Sequence, residues 1–181
     1  MNAGAPVRAR GFTLIEILIA LVVLAFGMLS LARVVGVSAQ EELEAYQRSQ
    51  AMTLALEMAD RISGNPKQAD LYVDDYAPDG PAEDCTALPD PADVVAHDRC
   101  EWRNRLRGVD TVTSGKGIGA PIAARGCVIS AGANVYTVAV AWEGVVPTAA
   151  ADSPCGAGQF SDERLRRAFS TVFQVATLGA P

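Results

Sequence analysis

The sequence predicts an α+β fold: one long N-terminal helix with an antiparallel β-sheet packed on its second half. Three observations carry this. Residues 12–37 form an almost unbroken apolar run in which Glu16 and Arg33 are the only charges. Residues 38–62 contain neither proline nor glycine and repeat apolar side chains at helical spacing. Towards the C-terminus, Val135–Trp142 and Phe169–Val175 alternate with period two, the pattern of half-buried strands.

The elements follow in order. Residues 1–11 are short, polar and basic, with Arg8 and Arg10 just before the apolar run. That run, about 25 residues, is long enough to span a bilayer as a helix. Positive charge ahead of it stays on the cytoplasmic side, which puts the C-terminal body outside the cytoplasm. A secretory signal peptide would be cut after its apolar stretch. Here the cleavage-like Arg10-Gly11-Phe12 stands before it, so the apolar segment survives processing. Its membrane-spanning side chains include Ile17, Leu18, Leu21, Val22, Leu24, Phe26 and Leu29.

Glu16 is the informative residue. A carboxylate in a membrane helix costs about 2.5–3.5 kcal/mol on insertion scales. Cleavage after Gly11 would create a positive α-amine on Phe12, four residues away, able to neutralise that carboxylate within one chain or between neighbours. The alternative is a Glu16 solvated at headgroup level. Gly27 and Gly36 also admit two readings, helix flexibility or close helix packing.

Beyond the membrane the helix continues, Ala51, Leu54, Ala55, Met58 and Ile62 forming its apolar face and Glu41, Glu42, Glu44, Gln47 and Arg48 its wetter part. Ser63-Gly64-Asn65-Pro66 is a stop signal. A helix from Thr13 to Ser63 would be about 75 Å long, too long for a compact domain to bury. Its first half therefore requires lipid and then sister helices.

Residues 65–92 read as a proline-rich acidic loop, with Pro66, Pro78, Pro81, Pro89 and Pro91 among Asp70, Asp74, Asp75, Asp79, Glu83, Asp84 and Asp90. Carboxylates suit calcium, but EF-hand spacing is absent, and a solvated acidic loop is the better reading. Residues 93–107 suggest a short helix capped by Asp93, with Val95, Trp102 and Leu106 inward and Arg99, Arg103, Arg105 and Arg107 offsetting the acidic loop. Cys127-Val128-Ile129 opens a hairpin that turns at Ala131-Gly132-Ala133. Tyr136, Val138, Val140 and Trp142 then share one side, and Phe169, Thr171, Phe173 and Val175 form a last strand. Between these strands, 144–163 is a loop holding Cys155. The large aromatics read as core rather than ligand platform.

Composition excludes some functions. The formal charge is −6, and losing Arg8 and Arg10 with the leader makes it −8. An acidic body disfavours nucleic acid. The four cysteines, Cys85, Cys100, Cys127 and Cys155, form no CxxC pair, so zinc-site spacing is absent. Outside the cytoplasm they suggest two disulfides among three connectivities, with four buried thiols as the alternative. Lower loop-closure entropy favours Cys85–Cys100 with Cys127–Cys155. No catalytic set is visible. His97 is the single histidine and reads as an ordinary surface residue. Ser114-Gly115-Lys116-Gly117-Ile118-Gly119 lacks P-loop spacing. No enzyme activity, cofactor or metal is expected.

Arg10-Gly11-Phe12-Thr13-Leu14-Ile15-Glu16 and the apolar run after it resemble the type IV prepilin signature. The resemblance implies cleavage after Gly11 by a prepilin peptidase that also methylates Phe12, with Glu16 and Thr13 as assembly residues. It implies a type IV pilin-like fold. Leu29-Ser30-Leu31-Ala32-Arg33, Leu56–Pro66, Trp102 with Leu106, and Val140-Ala141-Trp142 are similar to the PilV group of minor pilins. Major pilins usually carry a proline in the second half of the apolar segment, and this chain has none there. The expected organisation is a leader over 1–11, an assembly and transmembrane half-helix over 12–37, a periplasmic half-helix over 38–64 and a globular head over 65–181. The implied location is the inner membrane, single pass with the C-terminus periplasmic, and then the extracellular pilus. The implied partners are other minor pilins, the major pilin, the peptidase, the inner-membrane assembly platform and a tip adhesin. Two rivals remain at this point: a type II secretion pseudopilin, and an adhesin with an exposed aromatic or charged groove in residues 65–181.

Overall fold

The computed structural model describes residues 11–88, 90, 93–109, 112–113, 116–117 and 119–176. The leader up to Arg10, Pro89 and Pro91, and Ser114, Gly115 and Ile118 of the glycine-rich stretch lie outside the described residues. Helix α1 spans Leu14–Gly64. By contact the chain divides into two compact units, Met1–Glu41 and Glu42–Pro181.

In the first unit every described residue is exposed. Large apolar side chains run from Phe12 to Val37 around the whole helix, none less than 45% exposed. A helix apolar on all sides belongs in lipid or inside a larger assembly. Its mean hydropathy of 2.7 over an 18-residue window makes it long and apolar enough to cross a membrane. The Ser30 hydroxyl donates to the Phe26 carbonyl at 2.9 Å, so this polar group is satisfied within the helix.

The second unit is α+β. After α1 come a 3-10 helix, Pro66–Tyr72, strand β1 (Asp74–Tyr76), a 3-10 turn, Cys85–Ala87, and helix α2 (Val94–Leu106). A two-stranded ribbon, β2 (Val112–Thr113) with β3 (Lys116–Gly117), precedes β4 (Arg125–Gly132), β5 (Val135–Glu143) and β6 (Arg166–Gln174). The main sheet is antiparallel with order β1-β4-β5-β6. Ala51, Leu54, Ala55, Met58 and Ile62 of α1 are buried, in one core with Val128, Tyr136, Val138, Val140 and Trp142 of the sheet. Helix α2 closes this core. Asp93 caps it, accepting from the Ala96 N–H at 3.0 Å, and Val95, Trp102 and Leu106 point inward. The Trp102 indole N–H donates to the Leu54 carbonyl at 2.9 Å, and Tyr76 meets its ring edge-on at 4.8 Å between centroids. Gly126 makes room for that ring: a Cβ there would lie 2.2 Å from the indole.

Four expectations need correction. Gln47 is buried, not on the wet face, because it stands one turn before Ala51 on the same stripe; its Oε1 accepts from the Ile122 N–H at 3.4 Å. Glu44 is half-buried and accepts the backbone N–H groups of Val145 (2.7 Å) and Val146 (3.4 Å). Residues 65–92 are not one loop: β1 adds to the sheet edge, Asp75 opposite Cys127, and Tyr72 and Tyr76 are buried. Burial of two tyrosines and ladder bonds outweigh the poor strand propensity of aspartate. The hairpin turns at Ala133 and Asn134, both left-handed at φ 51° and 59°, while Gly132 of β4 still pairs with Val135 and Ala131 is the bulged residue before it. Two consecutive left-handed residues match the twist of a tight hairpin, which favours asparagine there.

The sheet has a second covered face that alternation did not announce. Cys127, Ala139, Ala141 and Cys155 form a small separate core, with Phe160 and Ala168 against it. The loop between β5 and β6 supplies the cover. Arg166, 4% exposed, fastens that loop: its guanidinium donates to the carbonyls of Ala151 (2.9 Å), Ser153 (2.6 Å) and Cys155 (3.2 Å). The disulfides are Cys85–Cys100 and Cys127–Cys155, with Cα separations of 5.7 and 5.8 Å.

Candidate processing and assembly site

The site begins where the helix begins. Thr13 stands at the N-cap of α1: its carbonyl accepts from the Glu16 and Ile17 N–H groups at 3.1 and 3.3 Å, and its hydroxyl oxygen accepts from the Glu16 N–H at 3.4 Å. Thr13-x-x-Glu16 is the sequence of a capping box, which satisfies otherwise orphaned donors of the first turn. It fixes Glu16 at the third helical position, near the positive end of the helix dipole. This role of Thr13 was readable from spacing, since Ser or Thr followed three residues later by Glu marks a helix start.

Gly11 is exposed, and a Cβ added there meets nothing within 4 Å. Nothing in the described structure requires glycine at this point. Phe12 is 80% exposed. Phe12, Glu16, Ile17, Ala20, Leu21 and Leu24 line a shallow groove along one side of the first turns. Glu16 is its single ionisable group and makes no ion pair among the described residues. Ile17, Leu18, Leu21, Val22, Leu24, Phe26 and Leu29 are all exposed around the same helix. Gly27 and Gly36 each have open space where a Cβ would stand.

The second unit holds a different charged cluster. Arg61 reaches Glu57 and Glu101 at 2.8 Å each and Asp98 at 2.6 Å, joining α1 to α2. The Tyr72 hydroxyl donates to the other Asp98 oxygen at 2.7 Å. Burial opposes the Arg61 charge, but Glu101, Glu57 and Asp98 outweigh it and raise its pKa. Burial and then Asp98 push Tyr72 up to about 12. His97, Asp98 and Glu101 bring ligand atoms within 4.8 Å of one another, yet both carboxylates already hold Arg61. His97 is exposed enough to face solvent, its Nδ1 3.6 Å from Glu101.

Three of the four arginines on and after α2 offset the acidic segment, while Arg105 instead reaches Glu57 of α1 at 2.7 Å. Arg99 pairs with Asp74, Arg103 with Glu83 at 2.7 Å and Arg107 with Glu83 at 3.3 Å. Burial works against the Glu83 charge, but Arg103 and then Arg107 hold its carboxyl below the usual range. Asp70 accepts from the Tyr136 hydroxyl at 2.6 Å.

Residues 7–32 match the family described as the prokaryotic N-terminal methylation motif. No curated protein and no solved structure matches the chain. The motif covers the N-terminal segment alone; with a long helix whose second part packs against a four-stranded antiparallel sheet, an α+β architecture of the type IV pilin-like kind, it supports a prepilin-type protein. It implies processing by a prepilin peptidase, a membrane anchor and membrane-associated assembly.

Proposed function

We propose that this chain is a minor type IV pilin of the PilV sort, cut after Gly11, methylated on Phe12 and inserted at low copy near the filament tip, where it helps prime assembly. Before assembly it sits in the inner membrane through 12–37, with the 38–64 half-helix and the head in the periplasm. Its partners are then other minor pilins, the major pilin and the assembly platform. One observation carries the reading: Glu16 is a lone carboxylate in a groove that is otherwise apolar, on a helix exposed all round. On this reading the charge is neutralised by the new α-amine of a neighbouring Phe12, a cation from outside the described fold. The arrangement makes correct axial docking the way to neutralise the charge. No enzymatic step is assigned to it.

Of the two features that would mark an adhesin, the aromatic groove has no support in the head. Tyr72, Tyr76, Trp102, Tyr136 and Trp142 are all buried, and no aromatic residue after residue 64 is exposed among the described residues. Glu16→Ala is expected to leave leader cleavage intact and to lower incorporation into sheared filaments, read by immunoblot. Normal incorporation would sink the charge-pairing account. Normal pili, with the protein confined to membranes and secretion lost on deletion, would indicate a type II secretion pseudopilin instead.

A further inference from the structure

The two disulfides occupy opposite environments. Cys127 and Cys155 are 6% and 2% exposed and lie in the small core with Ala139, Ala141 and Phe160. A reductant reaches them after the β5–β6 loop has lifted, and Arg166 holds that loop through three carbonyls. The Cys85–Cys100 pair differs. Cys100 is 1% exposed, but Cys85 is half-buried and forms part of the wall of a polar pocket with Glu83, Asp84, Glu101, Asn104 and Arg105. Of the four cysteines Cys85 is the one not fully buried, and it lines a pocket, while its partner Cys100 lies in the core.

The segment around Cys85 does not depend on the disulfide for its position. The Asn104 amide clamps the Glu83 backbone at both ends, accepting from its N–H at 3.0 Å and donating to its carbonyl at 2.7 Å. Arg107 adds bonds to the carbonyls of Pro78 (3.3 Å) and Asp79 (2.8 Å). The same Asn104 amide donates to Cys85 Sγ at 3.4 Å. A segment pinned this way keeps its place when the bond opens.

We propose that Cys85–Cys100 is a thiol–disulfide exchange site of the folded protein, open to a dithiol partner at Cys85, while Cys127–Cys155 is sealed. A thiolate of the dithiol attacks Cys85 Sγ. The bond to Cys100 breaks, and Cys100 leaves with the electron pair and takes a proton from the partner's second thiol. That second sulfur then attacks the partner's own sulfur in the mixed disulfide and releases the Cys85 thiolate, which takes a proton from solvent. The partner ends as a disulfide and the chain as a dithiol, a two-electron exchange. In reverse, a disulfide donor installs the bond after the fold has formed.

The test uses the full processed chain in detergent micelles, exposed to dithiothreitol, quenched by alkylation and mapped by peptide mass. Cys85 and Cys100 are expected to be alkylated together, faster than Cys127 and Cys155 by a factor on the order of ten or more, with near-UV circular dichroism retained. Two single variants locate the attacked sulfur. Cys100→Ser, which leaves Cys85 free, is expected to react rapidly with an aromatic disulfide such as dithionitrobenzoate. Cys85→Ser, which leaves Cys100, is expected to react slowly. Reduction of both pairs together, reduction of Cys127–Cys155 first, loss of the near-UV signal with the first pair, or equal reactivity of the two variants would overturn the proposal.

Discussion

The two units bury their apolar side chains by opposite rules. Among the described residues of Met1–Glu41 the apolar side chains are exposed on every side of the helix. In Glu42–Pro181 the same helix sorts its residues, burying Ala51, Leu54, Ala55, Met58 and Ile62 in a core of its own. The second unit carries the internal features of a self-contained fold: a core, a closed charge network and two disulfides. The first is complete only with lipid or other subunits around it. On the proposed function, assembly belongs to the first half of the helix and stability to the second, and substitutions are expected to separate them.

The sharpest separation is at the leader boundary. Gly11→Val is expected to leave an uncut precursor in the membrane, seen as a larger band on immunoblot, because the proposed cleavage falls after Gly11 and nothing in the described fold demands glycine there. The thermal midpoint of the C-terminal unit should not move. A mature-sized band would show that cleavage falls elsewhere.

Next in size is a pair of core and surface changes. Trp102→Ala removes the largest buried side chain, loses the indole hydrogen bond to the Leu54 carbonyl and opens a cavity at Gly126. A loss of about 3–5 kcal/mol is expected in denaturant unfolding of the detergent-solubilised chain. Leu21→Ala, at a side chain 62% exposed, should change the same measurement by no more than about 0.5 kcal/mol. Comparable losses from both would mean that the first unit is covered by the chain itself.

A pH dependence of the C-terminal unit supplies a further comparison. Burial and then Asp98 raise Tyr72 to about 12, burial raises Tyr76 to about 12, and the hydrogen bond to Asp70, then burial, raises Tyr136 to about 12. Each folded-state value lies above the ordinary value of 10.0, so the neutral phenols favour the folded state. That contribution is full below pH 10 and is lost as pH rises towards 12. Near-UV circular dichroism and tyrosinate absorbance should therefore change together in that window. Tyrosinate forming at pH 10 with the fold unchanged would contradict the burial account.

Much of this architecture was legible because its signals are periodic or chemically singular. The helical spacing of Ala51 to Ile62, the Asp93 cap and the alternation of Tyr136 to Trp142 each reduce to one rule of local geometry. Gly11-Phe12 and Glu16 stood out because polar punctuation is rare beside an apolar run. What was hidden depends on distant partners. Strand β1 is three residues, Asp-Asp-Tyr, with no propensity to announce it; pairing with β4 makes it a strand. Glu44 and Gln47 read as wet until residues 122 and 145–146 come to meet them. The second covered face arises from a loop that alternation in β5 alone does not reveal. The Thr13 cap, by contrast, was present in the spacing and simply carried a second meaning within the cleavage motif.

The account turns on where the mature chain begins and where it goes. Filaments sheared from the producing cells, digested and analysed by mass spectrometry, test both at once. A peptide beginning with methylated Phe12, far scarcer than the main subunit's, is the predicted result. Mature protein found in membranes and absent from filaments would contradict it.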